Sequence, residues 1–171
     1  IYSSTPVVSG TPTQVVSSSS SSCALIQDGT VQCWGANSSK AADPASSANT
    51  VDAPHTVAGV SGASKIAAGS DSFCALVQAG AVKCWGANDN GELGNGSKGT
   101  APSSPQLVKG MPGATDISMG PGIGCALLAN KTVRCWGNLT LGSAAQRTYT
   151  TPVAIVGLSG VKQVYACLLY T

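Results

Sequence analysis

Three segments of the chain repeat one pattern at a constant interval, and this repeat constrains the fold more than any other feature. Each segment begins with Cys-Ala-Leu and ends with Cys-Trp-Gly, at residues 23–35, 74–86 and 125–137. Their first cysteines are 51 residues apart on both intervals. Such a period is typical of architectures in which each repeat is one supersecondary unit that stacks on the next.

Each segment predicts a β-hairpin, because two runs of apolar and β-prone residues flank a turn at 27–29, 78–80 or 129–131. If the loop has three residues, the two cysteines of a hairpin face each other at disulfide distance. We therefore predict three cross-strand disulfides: Cys23 with Cys33, Cys74 with Cys84, and Cys125 with Cys135. Such short loops restrain little chain entropy, so these bonds should fix hairpin register rather than make folding possible.

A zinc site is the alternative for any set of cysteines, but zinc favours close pairs such as Cys-x-x-Cys, and the sequence contains none. No metal site is predicted.

Two more short strands flank each hairpin. The upstream strands are predicted at 13–16, 64–68 and 115–119, and the downstream strands begin with proline at 54–57, 105–108 and 152–156. Proline at the start of a strand is typical of an edge strand, which has no ladder partner for the missing N–H. Four antiparallel strands per repeat form a propeller blade, so the predicted fold class is all-β. The residues predicted to fill the space between blades are Trp34, Trp85 and Trp136.

The repeat also divides the chain into segments. We predict the last strand of a preceding blade at 1–11, three blades at 12–60, 61–110 and 111–158, and the start of a further blade at 159–171. Cys167 is the unpaired seventh cysteine, and it follows Val164 by three residues where the other repeats have eight. This spacing indicates a longer protein with residues missing near Ala166.

Composition excludes several classes of partner. Charged residues make up 9% of the chain, the formal net charge is +2, and no cluster of Lys and Arg occurs, so nucleic acid is not predicted. No apolar run approaches the roughly 18 residues that a membrane span needs.

Paired cysteines and four glycosylation sequons predict a secreted protein at the cell surface. The sequons begin at Asn37, Asn95, Asn130 and Asn138.

Residues 84–96, Cys-Trp-Gly-Ala-Asn-Asp-Asn-Gly-Glu-Leu-Gly-Asn-Gly, closely resemble a known signature. It is the Trp-Gly-x-Asn-x-x-Gly-Gln-Leu-Gly motif of the regulator of chromosome condensation repeat family, whose members form seven-bladed propellers. The Cys-containing pattern is similar to an extracellular branch related to β-lactamase-inhibitor propellers. The matching turn residues are Asn88, Gly91, Leu93 and Gly94.

The resemblance also implies an incomplete ring, since seven blades of this period need about 357 residues. The first and third repeats depart from the signature after Asn37 and Asn138. We expect those two loops to be rebuilt.

No catalytic constellation is present in the sequence. His55 is the one histidine, Glu92 is the one glutamate, and no nucleophile elbow, metalloprotease motif or phosphate-binding loop occurs. We therefore predict a protein that is not an enzyme and has no cofactor.

The leading hypothesis is a structural or protein-interaction module of a larger secreted glycoprotein in a surface coat, wall or filament. Its partners would be other extracellular proteins or further blades of the same protein. An alternative is recognition of a carbohydrate or a protein, as in lectins or inhibitor propellers. Guanine-nucleotide exchange, the role of the family's namesake, is disfavoured because a reducing compartment does not select repeated cysteine pairs.

Overall fold

The computed structural model describes residues 7–111, 113–141 and 145–166, and these residues form three four-stranded antiparallel sheets. Each sheet contains four consecutive strands in sequential order. The predicted all-β fold of propeller blades is confirmed, and the three blades form part of a ring. A short 3-10 turn at Gln78–Gly80 is the one helical element among the described residues.

The strands follow the repeat closely. Blade 1 contains β1 (Pro12–Ser17), β2 (Ser21–Ile26), β3 (Val31–Ala36) and β4 (Thr50–Thr56). Blade 2 contains β5 (Lys65–Ala68), β6 (Ser72–Leu76), β7 (Val82–Gly86) and β8 (Gln106–Leu107). Blade 3 contains β9 (Ala114–Gly120), β10 (Ile123–Leu128), β11 (Val133–Leu139) and β12 (Arg147–Ala154).

The second and third strands of each blade form the hairpin of the repeat, and the paired cysteines face each other in register. Each pair is joined by a disulfide, with the two Cα atoms 4.1 Å apart in all three blades. The last turn residue has a left-handed backbone, which glycine adopts without strain. This position is held by Gly29, Gly80 and Lys131, with φ of 82°, 71° and 65°.

Because successive strand residues point to opposite faces of a sheet, the two residues of a Cys-Trp pair pack on opposite sides of their blade. Cys84 lies in the core shared by blades 2 and 3, and the next residue, Trp85, lies in the core shared by blades 1 and 2. Cys33 contributes to the core between blades 1 and 2, and Trp136 to the core between blades 2 and 3. In blade 2, which has a described blade on each side, one dipeptide therefore packs against both neighbours.

The tryptophans also make a hydrogen bond between blades. The Trp85 Nε1–H donates to the carbonyl of Ala41 at 3.0 Å, and the Trp136 Nε1–H donates to the carbonyl of Glu92 at 2.7 Å. Both acceptors lie 44 residues earlier, in the long loop of the preceding blade. Both indole rings are fully buried.

Trp34 has no second blade beside it in the described part of the chain, so its place between two blades stays a prediction. It is half-buried, and its Nε1–H has no acceptor among the described residues. The physical reason is its direction: it faces away from blade 2, on the side of blade 1 where the described chain contains no further sheet.

The first strands of neighbouring blades are joined by polar contacts at equivalent positions. The Gln14 amide donates to the Ile66 carbonyl at 2.8 Å and accepts from the Ile66 N–H at 2.9 Å. One repeat later, the Lys65 ammonium forms an ion pair with Asp116. These contacts fix the position of each blade relative to the next.

The predicted boundaries of the fourth strands were wrong in two blades. β4 and β12 begin before their prolines, so Pro54 and Pro152 lie inside the strands rather than at their start. The pairing register shifts beside Trp34 and Trp136, and a bulge at an outer strand accommodates a residue without an N–H. β8 alone begins directly after its proline, Pro105.

The segments outside the three blades pack without forming strands. Residues 7–11 precede β1, and the backbone of Ser9 exchanges two hydrogen bonds with the Gln32 amide, at 2.9 and 2.8 Å. Residues 157–166 cross blade 3, where the Ala166 N–H donates to the Ser118 hydroxyl at 2.9 Å. Cys167 lies outside the described residues. The assignment of both segments to further blades stays a prediction.

The contact between Gly124 and Trp136 yields a stability prediction. A Cβ atom at Gly124 would lie 2.4 Å from Trp136 Cε2, whereas the equivalent position opposite Trp34 is occupied by Ser22. We expect Gly124→Ala to lower the free energy of unfolding by about 1–3 kcal/mol through overpacking. Ser22→Ala, the matched control, should change it by less than about 0.5 kcal/mol. Urea unfolding measures both, and equal effects would contradict this packing.

Removal of one disulfide tests its role in the blade. The Cys74→Ala/Cys84→Ala variant should lose about 2 kcal/mol of unfolding free energy, because a short closed loop restrains little chain entropy. The far-UV circular dichroism should remain that of a β protein. Complete loss of the folded spectrum at 25 °C would mean that the bond is required for folding itself.

Candidate interaction surface

The blades present two different ends to solvent. We define the turn face by the hairpin turns at 27–29, 78–80 and 129–131. The loop face is defined by the long loops at 37–49 and 87–105 and by the described residues 140–141 and 145–146 between β11 and β12. Irregular segments held by a rigid scaffold are the usual place for binding residues. Because these long loops lie at the opposite end from the tight hairpin turns, the loop face is the candidate interaction surface.

A buried amide organises the first of these loops. Asn37 is 2% exposed, and its Nδ2 donates to the carbonyls of Asp43 and Ala48, both at 3.0 Å. Its Oδ1 accepts from the backbone N–H groups of Ala42 at 3.1 Å and Asp43 at 2.8 Å. The predicted glycan at Asn37 stays a prediction, and in this fold both Nδ2 hydrogens of its acceptor residue are engaged in buried hydrogen bonds.

The equivalent residue of the second blade, Asn88, also hydrogen-bonds to the backbone of its own loop, although the sequence of that loop is different. It is 2% exposed, its Nδ2 donates to the Ser97 carbonyl at 3.2 Å, and its Oδ1 accepts from the Leu93 N–H at 3.2 Å. Leu93 is fully buried, while Gly91 and Gly94 have φ of 73° and 61°. The four predicted turn residues are thus brought together in one loop.

The same loop is attached to the next blade. The Glu92 carboxylate is buried and accepts from the Asn90 N–H at 2.7 Å, and the Glu92 carbonyl accepts the Trp136 indole. Both ends of this loop segment are therefore held by hydrogen bonds, and the loop presents a fixed surface.

Asn37 could have been recognised from the sequence, because it lies 51 residues before Asn88 and follows the same Trp-Gly-Ala tripeptide. Because Asn37 also begins a sequon, it is predicted above as a glycan acceptor and not as a turn residue like Asn88.

Ionisable groups on the described surface are dispersed. His55 Nε2 lies 3.5 Å from Asp43 Oδ2, with the histidine side chain 57% exposed. The Thr30 hydroxyl and backbone N–H donate to Asp28 and lower the pKa of that carboxyl below its ordinary value. Over the described ranges, no group of three or more His, Cys, Asp or Glu residues could hold a metal ion. In that same part of the chain, no helix has the length and apolarity to cross a membrane.

An open cleft of about 810 Å³ lies on the side of blade 3 that faces away from blade 2. Its wall includes the Cys125 and Cys135 disulfide, and Tyr165, which is 79% exposed, stands at its edge. Amide side chains also line it: Asn138, Gln146 and Gln163. The Asn138 sequon thus lies in β11, half-buried and against this cleft.

The two remaining sequons share one local geometry. Asn95 Oδ1 accepts from the Ser97 N–H at 3.0 Å and from its hydroxyl at 2.8 Å. Asn130 Oδ1 accepts from the Thr132 N–H at 3.2 Å and from its hydroxyl at 2.6 Å. Asn95 is half-buried in a long loop, whereas Asn130 is exposed at a hairpin turn.

The fold is similar to that of known propellers. Human WBSCR16 matches with a TM-score of 0.77 and 20% identity over 86% of this chain and 38% of its own. Prp20p from Saccharomyces cerevisiae matches with a TM-score of 0.73 and 21% identity over 84% of this chain and 38% of its own. The ectodomain of the Physcomitrella patens receptor kinase CR4 matches with a TM-score of 0.51 and 22% identity over 80% and 31%. The chain spans less than two fifths of each.

Family models agree with the repeat found in the sequence. Two models of the regulator of chromosome condensation (RCC1) repeat match the chain, one at residues 13–40 and 63–92 and the other at 79–127. Together they cover more than half of the chain, including two complete Cys-Trp-Gly hairpins. The chain therefore belongs to the regulator of chromosome condensation repeat family.

Proposed function

We propose that this chain is a non-enzymatic, extracellular interaction module of a larger secreted protein. The observation that carries the proposal is the set of three disulfides at equivalent positions of three blades. Reducing compartments keep thiols reduced, so a repeated structural disulfide is of use only where it can form and persist. The compartment is thus inferred from chemistry that recurs in every described blade.

Protein interaction is supported by the way the loop face is built. The loops around Asn37 and Asn88 are held by buried amides and by indoles from the next blade, so they are ordered before any partner arrives. Preorganised loops lose little conformational entropy on binding. Prp20p, a structural neighbour, has been studied for its binding to Gsp1p and histones, so the fold supports protein recognition.

A structural role in a surface coat, wall or filament is the specific form that we favour. Only 9% of the residues are charged, which is far below the usual quarter of a soluble domain. A surface with few charges costs little to desolvate against copies of itself, other glycoproteins or further blades.

Carbohydrate recognition is the second candidate, since an ordered loop face can present hydrogen-bonding side chains to sugar hydroxyl groups.

Nucleotide exchange in the nucleus is not proposed. The three hairpin disulfides would have no means of persisting in a reducing compartment.

The compartment is tested by the thiol state of the protein from its natural source. Alkylation under denaturing conditions without reductant should leave the six hairpin cysteines unmodified when the peptides are mapped by mass spectrometry. In a matched sample that is reduced first, all six should carry an alkyl group. Six modified cysteines without reduction would overturn the extracellular assignment.

The structural and lectin roles are separated by two measurements on one preparation. A scaffold should appear in high-molecular-weight assemblies in native extracts and give no signal on a glycan array. A lectin should bind the array and form no such assemblies. Assemblies without array binding would exclude the lectin role, and array binding without assemblies would exclude the scaffold role.

A further inference from the structure

We propose that Asn130 at the tip of the third hairpin is an acceptor of an N-linked glycan and that Asn37, which has an equally complete sequon, is not. The inference rests on the proposed function, because the glycan is attached only along the secretory route. It distinguishes two sites that the sequence alone treats as equivalent.

The geometry at Asn130 leaves the amide nitrogen, Nδ2, available for reaction. The side chain is exposed at the turn between β10 and β11, and both hydrogen bonds that it makes are accepted by Oδ1. Because the Thr132 hydroxyl and N–H hold the oxygen toward the chain, the amide nitrogen is directed away from it. Nδ2 has no acceptor among the described residues, so attachment of a sugar removes no hydrogen bond.

The chemistry needs a glycosyl donor of the pyrophosphate-linked lipid class. The Asn130 Nδ2 forms a bond to the anomeric carbon of the sugar, and the bond from that carbon to the pyrophosphate oxygen breaks. The nitrogen loses one proton to solvent, and the lipid pyrophosphate leaves with the bonding electrons. No oxidation or reduction occurs.

Asn37 presents the opposite geometry. Its Nδ2 donates two hydrogen bonds to backbone carbonyls, its Oδ1 accepts two from backbone N–H groups, and the side chain is 2% exposed. A glycan there would replace one of the two Nδ2 hydrogens, leave one backbone carbonyl without its donor and force the 37–49 loop open. Molecules that carried one would lose the contact that places the Ala41 carbonyl against Trp85.

Blade 1 provides a matched site for the experiment. Asp28 occupies the position equivalent to Asn130, and its Oδ1 accepts from the Thr30 N–H at 2.9 Å and from the Thr30 hydroxyl at 2.7 Å. The sequence there is Asp-Gly-Thr, so Asp28→Asn creates a sequon in the same turn without changing the side-chain shape.

The test uses the full chain behind a heterologous signal peptide in a eukaryotic secretory host. Secreted, disulfide-intact protein is treated with a glycosidase that converts each glycosylated asparagine to aspartate, and the peptides are mapped by mass spectrometry. We expect conversion at Asn130, none at Asn37, loss of the Asn130 signal in Thr132→Ala, and one new site in Asp28→Asn.

Occupancy of Asn37 in the disulfide-intact protein, or an unmodified Asn130, would overturn the proposal. Because the host supplies the signal peptide, this outcome does not depend on where the natural protein resides. The thiol state of the natural protein answers that question separately, so the two failures are distinguishable.

Discussion

The rest of the structure depends on one hydrogen bond that crosses between blades, from a tryptophan indole to a backbone carbonyl 44 residues earlier. It occurs at Trp85 and at Trp136, in both cases into the long loop of the preceding blade. A buried indole N–H without an acceptor would cost the desolvation energy of that group, so the loop must bring its carbonyl to this point. The period of 51 residues is the spacing that satisfies this requirement in successive blades.

The neighbouring cysteine explains why the pattern is Cys-Trp rather than tryptophan alone. Strand geometry turns adjacent side chains to opposite faces, so the disulfide contributes to one interface while the indole contributes to the other. The glycine that follows has a left-handed backbone at Gly86 and Gly137, where a Cβ would lie 2.4 and 2.2 Å from a backbone oxygen. Each residue of the Cys-Trp-Gly tripeptide is therefore required by a different contact. The shared disulfides also tie this packing to an oxidising environment, which links the fold to the proposed extracellular role.

The fold could be predicted from the sequence because hairpin register follows from local spacing, and spacing is visible in the repeat. The features that could not be predicted depend on contacts with adjacent blades and loops. Trp34 has the same flanking residues as Trp85, but its burial requires a blade on its outer side. For Asn37, the repeat marks the residue as the equivalent of Asn88, but the four hydrogen bonds of its amide to the backbone depend on how its own loop folds. The internal prolines of β4 and β12 were missed because a bulge beside the tryptophan shifts the outer strand.

Hydrogen exchange of the three indole N–H groups, followed by NMR on ¹⁵N-labelled protein, tests the central claim most directly. The account predicts slow exchange at Trp85 and Trp136, whose indoles are buried and bonded to carbonyls, and fast exchange at Trp34. Equal exchange rates at all three tryptophans, or the slowest rate at Trp34, would contradict the hydrogen bonds from the indoles to the long loop of the preceding blade.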